Sequence, residues 1–469
     1  MFRYLNETMI KKLRRKIIFF PIMLGALLFA GIGCKGLSVE QQEAIKPITL
    51  NYWTIYNDVE QLRAFAAEYK LLRSYVTVNI RQVRYEEFDS LFANALADDV
   101  APDIVSMSPR WLSKYQSRLD PMPASVTVAN VRVEGQLQPK TIVTPETNGL
   151  PTKNYLERAY VGTVAADIIR EDKVYGLPLA LDTLAMYYNV DLLDKAGVAL
   201  PPKSWDEFSA TLKKTTLYDR SGVIIQSGAA LGAGENIDNA YDIISLLMLQ
   251  NGVEMARGSR VSFADALDER TPNHPALQAM QFYTDFARPT KDVYSWNESM
   301  NKALDEFARG KSVFYFGFAF DAPRLRARGP QIKYAIEPVP QLNSAAPVNA
   351  ANYWVEAVVG KSAHKEEAWD FIRFITLPEN VKKYVAKTGQ PSPLRDQLVE
   401  QENDTKVSAF ALQALTAKNW YQGKDIDATV AAFNNLFRNY LQPLGERENE
   451  LRRNVSLIQT AARVIQQTF

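Results

Sequence analysis

Histidine and cysteine are nearly missing from this 469-residue chain, which holds only His274, His364 and Cys34. Zinc sites draw on clusters of Cys and His, a thiol nucleophile needs a neighbouring base, and a disulfide framework needs cysteine pairs. None of these can be assembled within the chain, so no metal and no cofactor is expected. Charge of one sign is lacking too: 54 Lys and Arg face 53 Asp and Glu, and no basic excess marks a nucleic-acid surface. No repeat or low-complexity array is present. What remains is 47 % apolar and 23 % charged, the balance of a globular protein able to bury more than one core.

The near-neutral total hides a basic start. Lys11, Lys12, Arg14, Arg15 and Lys16 precede an apolar segment over residues 17–32, which ends in small residues before Cys34. That order describes an export signal. Pro21 and Gly25 interrupt the segment, which is shorter than the roughly 20 residues of a comfortable membrane span. Residues 1–33 resemble a bacterial lipoprotein signal, which implies Cys34 as the lipidated residue; the alternative is an uncleaved anchor. Residues 34–46 are read as a linker, and either outcome tethers the body outside the cytoplasmic membrane.

The body opens with alternating elements. Apolar runs at residues 48–55, 75–83 and 101–107 read as strands, separated by amphipathic helices carrying Leu62, Phe65 and Tyr69, then Phe88, Phe92 and Leu96. Such alternation predicts a mostly parallel sheet in an α/β fold, with ligands beyond the carboxyl ends of the strands. Trp53, Tyr56 and Asn57 stand at the first of those ends, and Met107, Ser108 and Trp111 at the third. Residues 118–170, broken by five prolines, read as loops with short strands. Ser204 and Glu207 read as a capping box opening a helix, beside which Trp205 packs. The glycine-rich stretch 227–236 lacks the ending of a phosphate loop and reads as a flexible loop with amides to offer a ligand.

Residues 173–189 are the most informative stretch. Two apolar runs flank one acid, Asp182, with Thr183 beside it. An isolated buried carboxylate costs several kcal/mol unless it finds partners, so a hinge containing a ligand contact is expected there. Further along, Trp296, Phe320 and Trp354 lie in loops or at strand ends, where packing does not require an aromatic. Asp321 and Asn352 stand beside the last two.

The segments Ala101-Pro-Asp-Ile-Val105, Lys173-Val-Tyr-Gly-Leu-Pro178, Tyr187-Tyr-Asn-Val-Asp-Leu-Leu-Asp-Lys-Ala-Gly197, Pro202-Lys-Ser-Trp-Asp-Glu-Phe208, Phe307-Ala-Arg-Gly-Lys311 and Glu367-Ala-Trp-Asp-Phe371 follow the order seen in extracellular solute-binding proteins of family 1. The chain resembles these sugar-binding lipoproteins of ABC importers, which are similar in plan to maltose-binding protein. The resemblance implies an α/β, two-lobed periplasmic-binding-protein-like fold of type II, with a ligand cleft between the lobes and three hinge crossings. These fall at residues 180–183, 353–359 and 391–393. Lobe one is then 46–181 plus 357–393, and lobe two 182–356 plus 394–469. In a sugar-binding cleft Trp53, Trp111, Trp296, Phe320 and Trp354 would stack on sugar faces, while Asn57, Asp182, Asp321 and Asn352 would hydrogen-bond hydroxyls. The implied partners are a mono- or oligosaccharide and the subunits of an ABC permease, and the protein is expected to be a monomer that is not an enzyme. Two other readings stay open: a binder of another solute or sensory receptor of the same fold, and a glycoside hydrolase using Asp182 and Asp321.

Overall fold

The computed structural model describes residues 37–136 and 139–469. The basic start, the apolar segment and Cys34 lie outside the described residues. Among the described residues no helix is long and apolar enough to cross a membrane. The described residues fall into two compact units, residues 37–46 with 129–136 and 139–145, and Pro47–Val128 with Glu146–Phe469. In the first, Ser38 opens the helix Val39–Ala44 with a full capping box in which Gln41 answers it. The side-chain Nε2 of Gln41 donates to the Val143 carbonyl. In the second lie both large sheets.

One sheet orders its strands Val76–Gln82, Ile48–Thr54, Ile104–Met107, Val355–Val359 and Leu119–Asp120. The first three run parallel, as the alternation of strand and helix requires. Asp58 caps the helix Val59–Leu72, accepting the Gln61 amide at 2.7 Å. That helix buries Leu62, Phe65 and Tyr69, the apolar stripe legible in the sequence. The strand Val355–Val359 enters antiparallel to Ile104–Met107 from far along the chain. It belongs whole to this sheet, although it begins two residues before the border expected at 357. All five of its residues are buried.

The other sheet orders Leu217–Tyr218, Ile224–Ala229, Ser312–Gly317, Ala185–Asn189 and Tyr334–Pro338. The helices Trp205–Thr215, Ala303–Ala308 and Ser408–Ala414 pack against this sheet, while Ala240–Gln250, Pro275–Asp285, Ile426–Leu441 and Glu450–Gln466 pack on one another in the second lobe. Gly197 lies just beyond the helix Val190–Lys195 with φ +69°, the left-handed closure its sequence implies.

Three local expectations are corrected. Residues 118–170 contain two ten-residue strands, Ser125–Glu134 and Lys140–Gly149, paired as a ribbon; Pro145 is tolerated because a two-stranded ribbon leaves each strand one free edge. At the helix Trp205–Thr215, Ser204 Oγ accepts the Glu207 amide, but the Glu207 carboxylate takes the amide of Lys203 rather than that of Ser204, leaving half a capping box. The glycine-rich stretch is packed rather than open: a Cβ on Gly232 would lie 2.6 Å from the Ala287 nitrogen, and one on Gly234 would lie 2.6 Å from Asn434 Oδ1. Trp205 packs as expected, stacked on Phe316 with its indole N–H on Gln250.

Candidate functional site

Three chain segments run side by side between the two sheets. The Leu181 amide donates to the Pro391 carbonyl at 2.9 Å, the Asn352 amide to the Asp182 carbonyl at 3.0 Å, and the Leu184 amide to the Ala350 carbonyl at 3.0 Å. These are the three crossings of a hinge. Asp182 sits in the middle, 1 % exposed, and its partners come from the backbone. Oδ1 accepts the amides of Thr183 and Ala319, both at 2.9 Å, while Oδ2 accepts the amide of Phe320 at 3.2 Å and the Gln390 side chain at 3.5 Å. Burial pushes this carboxyl up to about 7, and the amides of Ala319 and Phe320 oppose the rise. The lone acid therefore ties the first crossing to the start of the helix Asp321–Arg328 in the second lobe.

Aromatic rings line the cleft above the hinge. Tyr56, beyond the first strand, stacks on Phe320 of the opposite lobe at 5.4 Å and 24°, and touches Trp354 at 5.1 Å. Trp354 meets Trp111 edge-on at 5.8 Å, and Trp111 stacks on Tyr85 at 5.0 Å. On one side of this run is a recess of about 850 Å³, whose wall includes Asn57, Tyr85, Arg324 and Gln390. On the other is one of about 420 Å³, reached by Ser108, Trp111, Asp238, Asn352 and Asp427. A narrow gap between Asn57, Asp182, Phe320 and Trp354 lies at the hinge itself.

Polar contacts also join the lobes. The Arg110 guanidinium meets Asp242 Oδ1 at 2.5 Å, with the two side chains 12 % and 10 % exposed, and lies 5.0 Å over the Tyr241 ring. Tyr85 donates to Asp427 Oδ1 at 3.2 Å. Beneath the aromatic run, Glu356 is fully buried and accepts from Tyr52, Asn57 and Ser106. Burial pushes its carboxyl up to about 7. Asp167, held by Tyr353, Asn419 and Gln422, is pushed by burial to about 6.

Of the residues singled out in the sequence, Tyr56, Asn57, Ser108, Trp111, Asp182, Phe320, Asn352 and Trp354 come together at the cleft. Four do not line it. Trp296 is fully buried in the second lobe, its indole N–H donated to Asn236 Oδ1 at 3.1 Å. Met107 is fully buried, at the end of a central strand where Val355 is its ladder partner. Trp53 lines none of the three recesses and carries Arg81, its neighbour on the next strand, over its ring at 4.9 Å. Asp321 is 1 % exposed and spends its carboxylate on Arg324, Tyr315 and the Phe318 amide. Asp182 and Asp321 thus both accept from protein donors. Tyr85, Arg110, Asp242 and Glu356 were not anticipated. Glu356 carried a usable signal, one acid within the apolar run Val355–Val359, the criterion that selected Asp182. Among the described residues no group of three or more His, Cys, Asp and Glu could hold a metal ion.

Two lobes joined by three hydrogen-bonded crossings, with the lined space between them, define a binding protein of the periplasmic type. The chain belongs to the bacterial extracellular solute-binding protein family, which matches residues 56–382. Among curated relatives it is 26 % identical over 260 residues to the maltodextrin-binding protein of Bacillus subtilis (strain 168), covering 53 % of this chain and 57 % of that protein. It is 22 % identical over 275 residues to the multiple sugar-binding protein of Streptococcus mutans serotype c, covering 57 % and 61 %. The chain spans about half the length of the curated relatives it matches. In fold it is similar to an ABC transporter solute-binding protein of Thermotoga lettingae bound with α-D-tagatose, with a TM-score of 0.65 at 18 % identity over 90 % of this chain and 99 % of that one.

Proposed function

We propose that the protein captures a carbohydrate in the cleft between its lobes and delivers it to an ABC-type permease, tethered outside the membrane through Cys34. The observation that carries this reading is the aromatic run Phe320, Tyr56, Trp354, Trp111 and Tyr85, drawn from both lobes and bordered by Asn57, Asn352 and Asp427. Sugars present flat apolar CH faces and a rim of hydroxyls, so they are matched by ring platforms with amides and acids at the edge. The names of the relatives, maltodextrin-binding and sugar-binding, lend support. Closure of the lobes around the solute would bury both sets of groups.

Isothermal titration of the full chain against neutral mono- and oligosaccharides, with amino acids, polyamines and short peptides as controls, tests the solute class. Saccharide binding weakened at least about tenfold by Trp354→Ala, roughly 1.4 kcal/mol, is the expected result. Binding confined to a control class refutes it. Tethering is read separately, as membrane attachment lost in Cys34→Ala.

A further inference from the structure

The geometry points to Glu356 as a positioning residue that turns the Asn57 side chain into a fixed hydrogen-bond acceptor facing the ligand, so that the cleft selects solutes offering a hydroxyl donor beside the hinge. This rests on the reading that the solute occupies the cleft.

Asn57 follows the first strand and reaches both the larger recess and the narrow gap at the hinge. Its Nδ2 is 2.7 Å from Glu356 Oε1 and 3.1 Å from both the Tyr52 hydroxyl and Ser106 Oγ. The two amide protons are therefore used on the protein side. Oδ1 accepts from none of the described residues and is left to the cleft. An amide can normally turn over and exchange its donor and acceptor ends. Here a turned amide would set Oδ1 against Glu356 Oε1 with no proton between them. The carboxylate also accepts from Tyr52 and, at 3.2 Å, from Ser106, so its oxygens are surrounded by donors. An ionised carboxylate can only accept, so the ionised form forbids the turned amide, whereas below about pH 7 the protonated carboxyl can donate to it.

Nearby acceptors are already committed. Both oxygens of Asp182 take protein donors, and the Asp182 carbonyl takes the Asn352 amide. Asn57 Oδ1 is thus an acceptor that a ligand at the hinge gap can reach, beside the side chains of Asn352 and Gln390 that also line it. A solute lacking a donor there leaves a buried acceptor unpaired when the lobes close, which is the strongest form of polar discrimination.

Glu356→Gln keeps the shape and removes the charge. The new amide can donate to Asn57 Oδ1, so Asn57 can face the cleft with either end. Two measurements on the full chain test this. In the first, without ligand, the side-chain amide nitrogen of Asn57 is followed by NMR from about pH 4.5 to 9 and assigned by its loss in Asn57→Ala. Its protons are expected to exchange with solvent at least about tenfold more slowly than those of a free asparagine in the wild type at the upper end of this range, and faster in Glu356→Gln; exchange at the free rate in the wild type overturns the proposal, even if Glu356→Gln does not fold. In the second, the saccharide that binds most tightly in the panel is compared with its mono-deoxy derivatives. One derivative should bind the wild type at least about tenfold more weakly than the parent, and Glu356→Gln to within about threefold of it. Equal discrimination by both proteins overturns the inference while leaving carbohydrate capture intact. Absence of any saccharide binding defeats the carbohydrate reading, and the exchange of the Asn57 side-chain amide still decides the contact between Glu356 and Asn57.

Discussion

Asp182→Asn should exchange a pH-dependent cost for a fixed one. Burial holds the Asp182 carboxyl up to about 7 in the folded chain, against about 3.9 when unfolded. Between these values the folded form keeps a proton that the unfolded chain has released. Stability from this group therefore falls as pH rises, by about 1.4 kcal/mol per pH unit, and levels off above about pH 7. The full difference is on the order of 4 kcal/mol. Asparagine cannot titrate, so the variant loses this slope. It also loses an acceptor. If its carbonyl keeps the Thr183 and Ala319 amides, the Phe320 amide faces an NH2 group, at a cost of about 1–3 kcal/mol. The variant should be the less stable protein at about pH 4, and equal to or more stable than the wild type at about pH 8. Denaturant unfolding followed by tryptophan fluorescence at several pH values gives the comparison. Glu356 and Asp167, whose carboxyls are also raised by burial, are common to both proteins and cancel in the difference. Parallel profiles would refute the assignment of the titrating proton to Asp182.

Asp242→Ala leaves the Arg110 guanidinium, 12 % exposed, without its carboxylate. The expected loss is about 3–5 kcal/mol, and the lobes should part, seen as a larger radius of gyration in solution scattering; the pair Arg110→Met with Asp242→Leu should recover stability. Trp296→Phe removes the hydrogen bond to Asn236 in a side chain that does not line the cleft. Thermal unfolding should shift down by the equivalent of about 1 kcal/mol, with saccharide affinity unchanged by titration. Gly232→Ala places a Cβ 2.6 Å from the Ala287 nitrogen at φ +92° and should cost more than about 2 kcal/mol. Gly197→Ala, at φ +69° with nothing within 4 Å, should cost only about 1 kcal/mol, so the two melting curves separate strain alone from strain plus collision.

The fold was legible because local rules and tertiary structure agree through most of the chain. The parallel strands Ile48–Thr54, Val76–Gln82 and Ile104–Met107 follow from strand and helix alternation, and the helix after Asp58 from its cap and stripe. The ribbon Ser125–Glu134 with Lys140–Gly149 was not legible, because an edge strand tolerates a proline that would stop a central one. In the site, residue type predicted less than direction. Trp53 and Tyr56 are three residues apart, yet only Tyr56 turns to the cleft. Trp296 has the composition of a ligand platform and the burial of a core residue.

The two buried acids show where sequence reasoning stops. Asp182 and Glu356 each interrupt an apolar run, and each is fully hydrogen-bonded at the hinge. The rule that a buried carboxylate must find partners applies to both, and applied evenly it selects both. It cannot say who the partners are. Asp182 is met by the backbone amides of residues 319–320, 137 and 138 positions away, so its effect is to join a crossing to a lobe. Glu356 is met by the side chains of Tyr52, Asn57 and Ser106, so its effect passes to whatever Asn57 faces. Two residues of one type, chosen by one criterion, thus act on closure and on selectivity, and the difference lies in whether the donors they meet are fixed amides or a side chain that can turn.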